Sequence, residues 1–297
     1  MALGETMLSL VAVRVPLADA THLLVTHGGA ESNTCVGLVR LGLRAAWVSR
    51  LGTDAAGDRV LSELEREGVD LRWVRRDPER PTGLMIRETS GAPPRYERGS
   101  SAASALSPGD LEGSPFEHAR AVLVTGITAL LGETPKASAI ALLDRAKGLR
   151  VVDPNLRRGL WGSDRPGDLI LPLLERADLV LGGEAELATL VGGTGRELAE
   201  RCLEIGPSEV VIKRGSRGAA AAGTDGSWIE HDGPPQPDVD PVGAGDAFNA
   251  GYLAARLLGR SMTEALELGA RCGGAVAGHV GDTSGFPTLE ETGGVAT

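Results

Sequence analysis

Apolar residues recur along this chain at two spacings, and their alternation predicts the architecture. Ala45–Leu51, Ala121–Thr125, Arg150–Asp153, Ala177–Leu181 and Glu209–Lys213 are short apolar runs that read as buried strands. Between them Asp54–Glu67 (stopped by Gly68), Pro135–Lys147 and Glu197–Ile205 carry helical spacing. Strand, helix, strand in succession argues for a parallel sheet with helical crossovers. The first residues follow another pattern: Leu3–Val15 alternates loosely and reads as one strand, and Thr21–Thr26 as a second. Val69–Val74 is again a strand. Thr82–Glu88 and Arg95–Arg98 read as a hairpin around Ser90-Gly91-Ala92-Pro93-Pro94, which with the early strands predicts a small sheet outside the main fold. Ala219–Ala222 and Ser227–Glu230 suggest one more hairpin, and helices around Gly251 and over Met262–Gly278 close the chain. Gly233–Asp240 alone resembles a linker, and there is no internal repeat, so the chain reads as one domain over 1–297.

Composition narrows the function classes. A net charge of -10 disfavours nucleic acid or a membrane surface as the main partner. Cys35, Cys202 and Cys272 are odd in number and far apart, which predicts reduced thiols in a cytoplasmic protein. No apolar run is long enough to span a membrane, and no basic start precedes an apolar core. Lys136, Lys147 and Lys213 all lack a preceding glycine, which excludes a P-loop; five scattered histidines argue against a zinc site. Gly243-Ala244-Gly245 lacks the third glycine of a dinucleotide fingerprint, because Phe248 stands there.

Two glycine-rich turns remain, each opening a helix: Gly28-Gly29-Ala30-Glu31-Ser32-Asn33, and Asp240-Pro241-Val242-Gly243-Ala244-Gly245-Asp246-Ala247-Phe248. A glycine turn at a helix N-terminus gathers free N–H donors and suits an anion. A carboxylate there makes sense if Asp246 takes a proton from a hydroxyl attacking a phosphoryl group. The other reading is that Asp246 only caps the helix. In an open α/β sheet ligands dock beyond the carboxyl ends of the strands, and those ends carry Asp153, Asn155, Arg157, Glu186, Lys213 and Arg214.

Together the two turns, with Arg40-Leu41-Gly42, resemble the two signatures of the ribokinase-like (phosphofructokinase-B) sugar kinases. Gly4-Glu5-Thr6-Met7, Tyr96-Glu97-Arg98, Pro154-Asn155-Leu156-Arg157, Leu160-Trp161 and Gly281-Asp282 are most similar to the 2-keto-3-deoxygluconate kinase subgroup. The resemblance implies a three-layer α/β/α sandwich with a small β-sheet lid, formed by segments near 7–28 and 70–100. It implies transfer of the ATP γ-phosphate to a sugar hydroxyl. Asp246 would be the base, with the backbone N–H groups of Gly243, Ala244 and Gly245 as the anion hole. Lys213, Gly215, Gly218, Gly243 and Gly245 would hold the nucleotide. Gly29, Asn33, Tyr96, Arg98, Arg157 and Asp246 would hold the sugar acid, and Glu186 would order Mg²⁺.

Three departures qualify this picture. Gly183 stands where the metal-shell motif has an asparagine, although Mg²⁺ keeps much of its water and needs few protein ligands. Glu97 replaces a tyrosine beside the substrate, an awkward charge unless it points away. Pro241 replaces a common threonine, which bears on a monovalent-cation site around Asp240. Two alternatives stay open: a kinase for a neutral ketose or pentose, and a catalytically silent sugar or nucleotide sensor. The resemblance also leaves room for a homo-oligomer.

Overall fold

The computed structural model describes residues 1–157, 165–233 and 239–293. In chain order the strands are β1 (Ala2–Leu3), β2 (Met7–Ala12), β3 (Leu24–Gly28), β4 (Ala46–Gly52), β5 (Asp70–Asp77), β6 (Leu84–Glu88) and β7 (Arg95–Glu97). They continue as β8 (Ala121–Thr125), β9 (Leu149–Asp153), β10 (Leu179–Gly183), β11 (Glu209–Lys213), β12 (Ala219–Gly223) and β13 (Trp228–His231). The helices are α1 (Ala30–Arg40), α2 (Ala55–Arg66), α3 (Gly126–Leu130), α4 (Glu133–Arg145), α5 (Pro166–Leu174), α6 (Glu184–Val191), α7 (Gly195–Leu203), α8 (Ala244–Leu257) and α9 (Met262–Ala277).

Nine strands form one sheet in the order β13-β12-β11-β10-β9-β8-β1-β4-β5, all running one way except β12, which is antiparallel to both its neighbours. Successive residues of a strand point to opposite faces, and the core divides accordingly. Leu123, Val151, Leu181 and Val211 pack with Leu38, Tyr252, Leu253 and Leu266 of α1, α8 and α9. Val122, Val124, Val152 and Val210 pack on the other face with Leu142, Leu173, Leu198 and Phe116. Burial on both faces is what makes these strands read as continuous apolar runs, and the result is three layers, helix–sheet–helix.

A second sheet, β3-β2-β6-β7, stands outside this sandwich, and it is the lid expected from the early strands and the hairpin. Two expectations are corrected. The run Leu3–Val15 is not one strand: β1 enters the large sheet and β2 the lid, with the buried Glu5 and Thr6 at the break. Segment 70–77, inside the bounds given for the lid, pairs with β4 at the edge of the large sheet. The lid's second segment therefore begins at β6. Asp54 fastens the two parts, accepting from Gly57 N–H at 2.7 Å at the start of α2 and from Thr82 N–H at 2.8 Å just before β6. All three cysteines are buried and free. Among the described residues no helix is long and apolar enough to cross a membrane.

Candidate active site

Helix α8 starts at Gly243, whose φ of +88° lies in the left-handed region. A Cβ there would fall on the backbone of Asp282, so both conformation and space demand glycine. Gly245 differs: it is helical, and the nearest atom to an added Cβ would be Lys213 Nζ at 3.7 Å. The N–H groups of Gly243 and Gly245 find no acceptor among the described residues, whereas Ala244 N–H donates to Pro241 O at 3.2 Å. Two of the three expected anion-hole donors are thus free.

One turn into α8, Asp246 is 8% exposed and accepts a hydrogen bond from Asn33 Nδ2 at 2.8 Å. Asn33 lies on the first turn of α1, so the two glycine-rich turns meet at this bond. Burial, and next Asp153, push Asp246 up to about 6, against the pull of Asn33, Arg157 and Lys213. That value suits a base working near neutral pH. Asn33 Oδ1 is buried without a partner, an acceptor left over for a ligand.

Lys213, at the end of β11, donates to Asp153 Oδ2 at 2.8 Å and Asn249 Oδ1 at 3.0 Å. Asn249 Nδ2 closes the triangle on Asp153 Oδ2 at 2.6 Å. In the sequence Asp153 reads only as one of the strand ends, and Asn249 does not stand out. Its signal was available: it follows Asp246 by three positions on one helix face. Lys213, Gly215, Gly218, Ala244 and Gly245 line one cavity of about 260 Å³ floored by Phe248 and Gly273. A larger cavity of about 750 Å³ opens at the amino ends of the strands, at the opposite end of the sheet from these groups.

Glu186 is half-buried, and its Oε2 accepts from Gly183 N–H at 2.9 Å, so it caps its own helix. Burial, followed by the nearby Asp153 carboxylate, raises its pKa. Two carboxylates beside a lysine are a donor set suited to a hydrated Mg²⁺.

On the lid, β7 places Tyr96 and Arg98 on one face and Glu97 on the other. Glu97 is exposed and pairs with Arg95 at 2.8 Å, so its charge does point away. The Arg98 guanidinium lies 5.4 Å from the Tyr96 ring centroid and is paired with the fully buried Glu5. Its charge is already balanced. Arg157 is exposed beyond the end of β9; it makes no hydrogen bond or ion pair among the described residues, and its charge acts on Asp246 and Glu186 from a distance. Gly29 precedes α1, and a Cβ there would strike the Glu5 carbonyl. Leu160 and Trp161 lie outside the described residues.

Comparison with known proteins gives the chain its family. The family model for pfkB family carbohydrate kinases matches residues 1–289. The chain belongs to that family. This kinase is 36% identical over 273 residues to a 2-dehydro-3-deoxygluconokinase of Bacillus subtilis, covering 89% of the chain and 84% of that protein. It is 31% identical to the 2-dehydro-3-deoxygluconokinase of Thermoproteus tenax, over 98% of the chain and 91% of the relative. Among solved structures, a PfkB protein from Polaromonas sp. JS666 superposes with a TM-score of 0.87 at 34% identity, covering 99% and 98% of the two chains. A putative ribokinase II from E. coli, solved with ATP and Mg²⁺, reaches a TM-score of 0.90 at 24% identity over 98% and 96%, a likeness of fold.

Proposed function

We propose that this kinase transfers the γ-phosphate of ATP to a hydroxyl of 2-keto-3-deoxygluconate or a related sugar acid. The carrying observation is Asp246: a buried carboxylate with its pKa raised to about 6, one turn from the free N–H groups of Gly243 and Gly245. The sugar lies between α1 and the lid, with Gly29 letting the head of α1 pack against Glu5 and Thr6 and Asn33 Oδ1 accepting from one of its hydroxyls. Asp246 accepts the proton of the attacking hydroxyl as its oxygen bonds to the γ-phosphorus and the bond to the ADP oxygen breaks. Gly243 and Gly245 donate to the charge that develops on the transferring group, where fixed dipoles act without reorganisation. Lys213, held by Asp153 and Asn249, faces the phosphates, and Gly215 and Gly218 line the nucleotide cavity. Glu186 and Asp153 would hold Mg²⁺ through water, and the ion when bound supplies neutralisation of phosphate charge.

The acid-sugar assignment rests on Arg157, an exposed guanidinium at the docking edge with no ion pair among the described residues, and on the two 2-dehydro-3-deoxygluconokinase relatives. Because Arg98 is matched by Glu5, a neutral ketose remains the second reading. A coupled ADP-release assay over 2-keto-3-deoxygluconate, 2-keto-3-deoxygalactonate, fructose and ribose tests both. A kcat/KM for either acid at least tenfold above the neutral sugars is expected. Preference for fructose or ribose would overturn the acid reading. No turnover with any of them would favour a sensor.

A further inference from the structure

Arg87 touches none of the groups placed around the reacting atoms, yet it joins four parts of the fold. It sits on β6 of the lid with its side chain 1% exposed. Nη1 donates to both oxygens of Asp240, at 3.0 and 2.8 Å, and Nη2 to Asp282 Oδ1 at 2.9 Å. Asp240 Oδ2 also accepts from Gly281 N–H at 3.0 Å. Asp240 begins the turn that ends at Gly243, and the backbone of Asp282 is what Gly243 packs against. Asp282 Oδ2 in turn lies against Gly28 at the end of β3. One guanidinium therefore ties two lid strands to the turn at the head of α8 and to the loop behind it.

Stability alone gives little reason for this node. Burying ions costs desolvation, and buried pairs are often replaced by apolar groups without loss. Here one cation faces two carboxylates, an excess of one negative charge; burial raises the pKa of Asp282 against the pull of Arg87. What the guanidinium supplies is geometry, since a planar fork fixes two carboxylates in two directions and an ammonium cannot.

We infer that Arg87 is a positioning residue for phosphoryl transfer, holding the Gly243 turn in register with the lid over the sugar. The inference rests on reading that turn as the anion hole. Contacts that tighten only in the transition state act on kcat rather than on ATP binding, and Arg87 does not line the nucleotide cavity. Arg87→Lys should therefore lower kcat at least tenfold and leave KM for ATP within about threefold. Since an unpaired carboxylate could prevent folding, the pair Arg87→Met with Asp240→Asn is made alongside. It keeps the excess charge at one, keeps an acceptor for Gly281, and should show the same split. Gly243→Ala is assayed in parallel. Loss of kcat in all three supports the inference. Parental kcat in both Arg87 variants with loss in Gly243→Ala overturns it and leaves the anion hole standing. Parental kcat in Gly243→Ala as well overturns the anion-hole reading with it. A lowered melting temperature with kcat unchanged would make Arg87 merely structural.

Discussion

Asp246→Asn should move activity and stability in opposite directions. The amide keeps the size of the side chain and can still accept from Asn33 Nδ2, but it cannot take a proton. Turnover should fall by roughly 10²–10⁴. Stability should rise, and the sign follows from proton counting. Between the ordinary carboxylate value of 3.8 and the folded value of about 6, the folded chain holds a proton that the unfolded chain has released. Stability is thus lost as pH rises through that window, and the whole penalty is present above it. Two pH units at about 1.36 kcal/mol each give roughly 3 kcal/mol. At about 2.1 cal/mol/K per residue, a chain of this length melts about 5 °C higher for that gain. Thermal unfolding of both proteins at pH 7.5 and at pH 4 checks it: the gap should be open at the first and nearly closed at the second. The parent's kcat should also drop as pH falls through about 6. Equal melting temperatures at pH 7.5, or kcat within threefold of the parent, would refute the buried-base argument.

The remaining expectations concern the turn, the metal and the acid. Gly243→Ala forces a side chain into the left-handed region and onto Asp282, at a cost of at least ~1–2 kcal/mol, and should lower both melting temperature and kcat. Gly245→Ala, free of both problems, should fold as well as the parent and raise KM for ATP through a methyl group placed near Lys213; equal damage at the two glycines would refute the distinction. Glu186→Gln should raise the Mg²⁺ concentration needed for half-maximal rate, since an amide attracts a hydrated cation less, and superimposable titrations would return Glu186 to its capping role. Arg157→Lys should cut kcat/KM for 2-keto-3-deoxygluconate at least tenfold, because a hydrogen bond to a charged group is worth about 1.5–3 kcal/mol. Activity on fructose should change far less, and equal losses would move Arg157 away from the carboxylate.

How much of this was legible depended on how local the physics is. The central strands were read to within a residue or two, because burial on both faces writes an uninterrupted apolar run. Leu3–Val15 misled for the same reason: apolar residues on both sides of a break do not say which sheet each half joins. The glycine turn was visible, but the residue that cannot be replaced was not. Gly243 and Gly245 look alike in sequence, and only the left-handed backbone of Gly243 and the packing of Asp282 against it separate them. Long-range partners were out of reach. Asp153 and Asn249 are 96 positions apart, and nothing near Arg98 tells that Glu5 neutralises it. Arg87, set in a lid strand, read as any other arginine.

The bond between Asn33 and Asp246 bears on how such an enzyme can be retooled. It locks the heads of α1 and α8 together, and their bodies are pressed close because Gly37 lies against Ala250 and Phe286. The Asp246 carboxylate is thus mounted on a rigid pair of helices, while Tyr96 rides on a three-residue edge strand of the lid and Arg98, held by Glu5, follows directly after it. The helix pair and the lid edge are separate parts of the fold. Exchanges in β7, which pairs with β6 alone, leave that helix pair in place. β6 has less of that freedom, because Arg87 binds it to the turn.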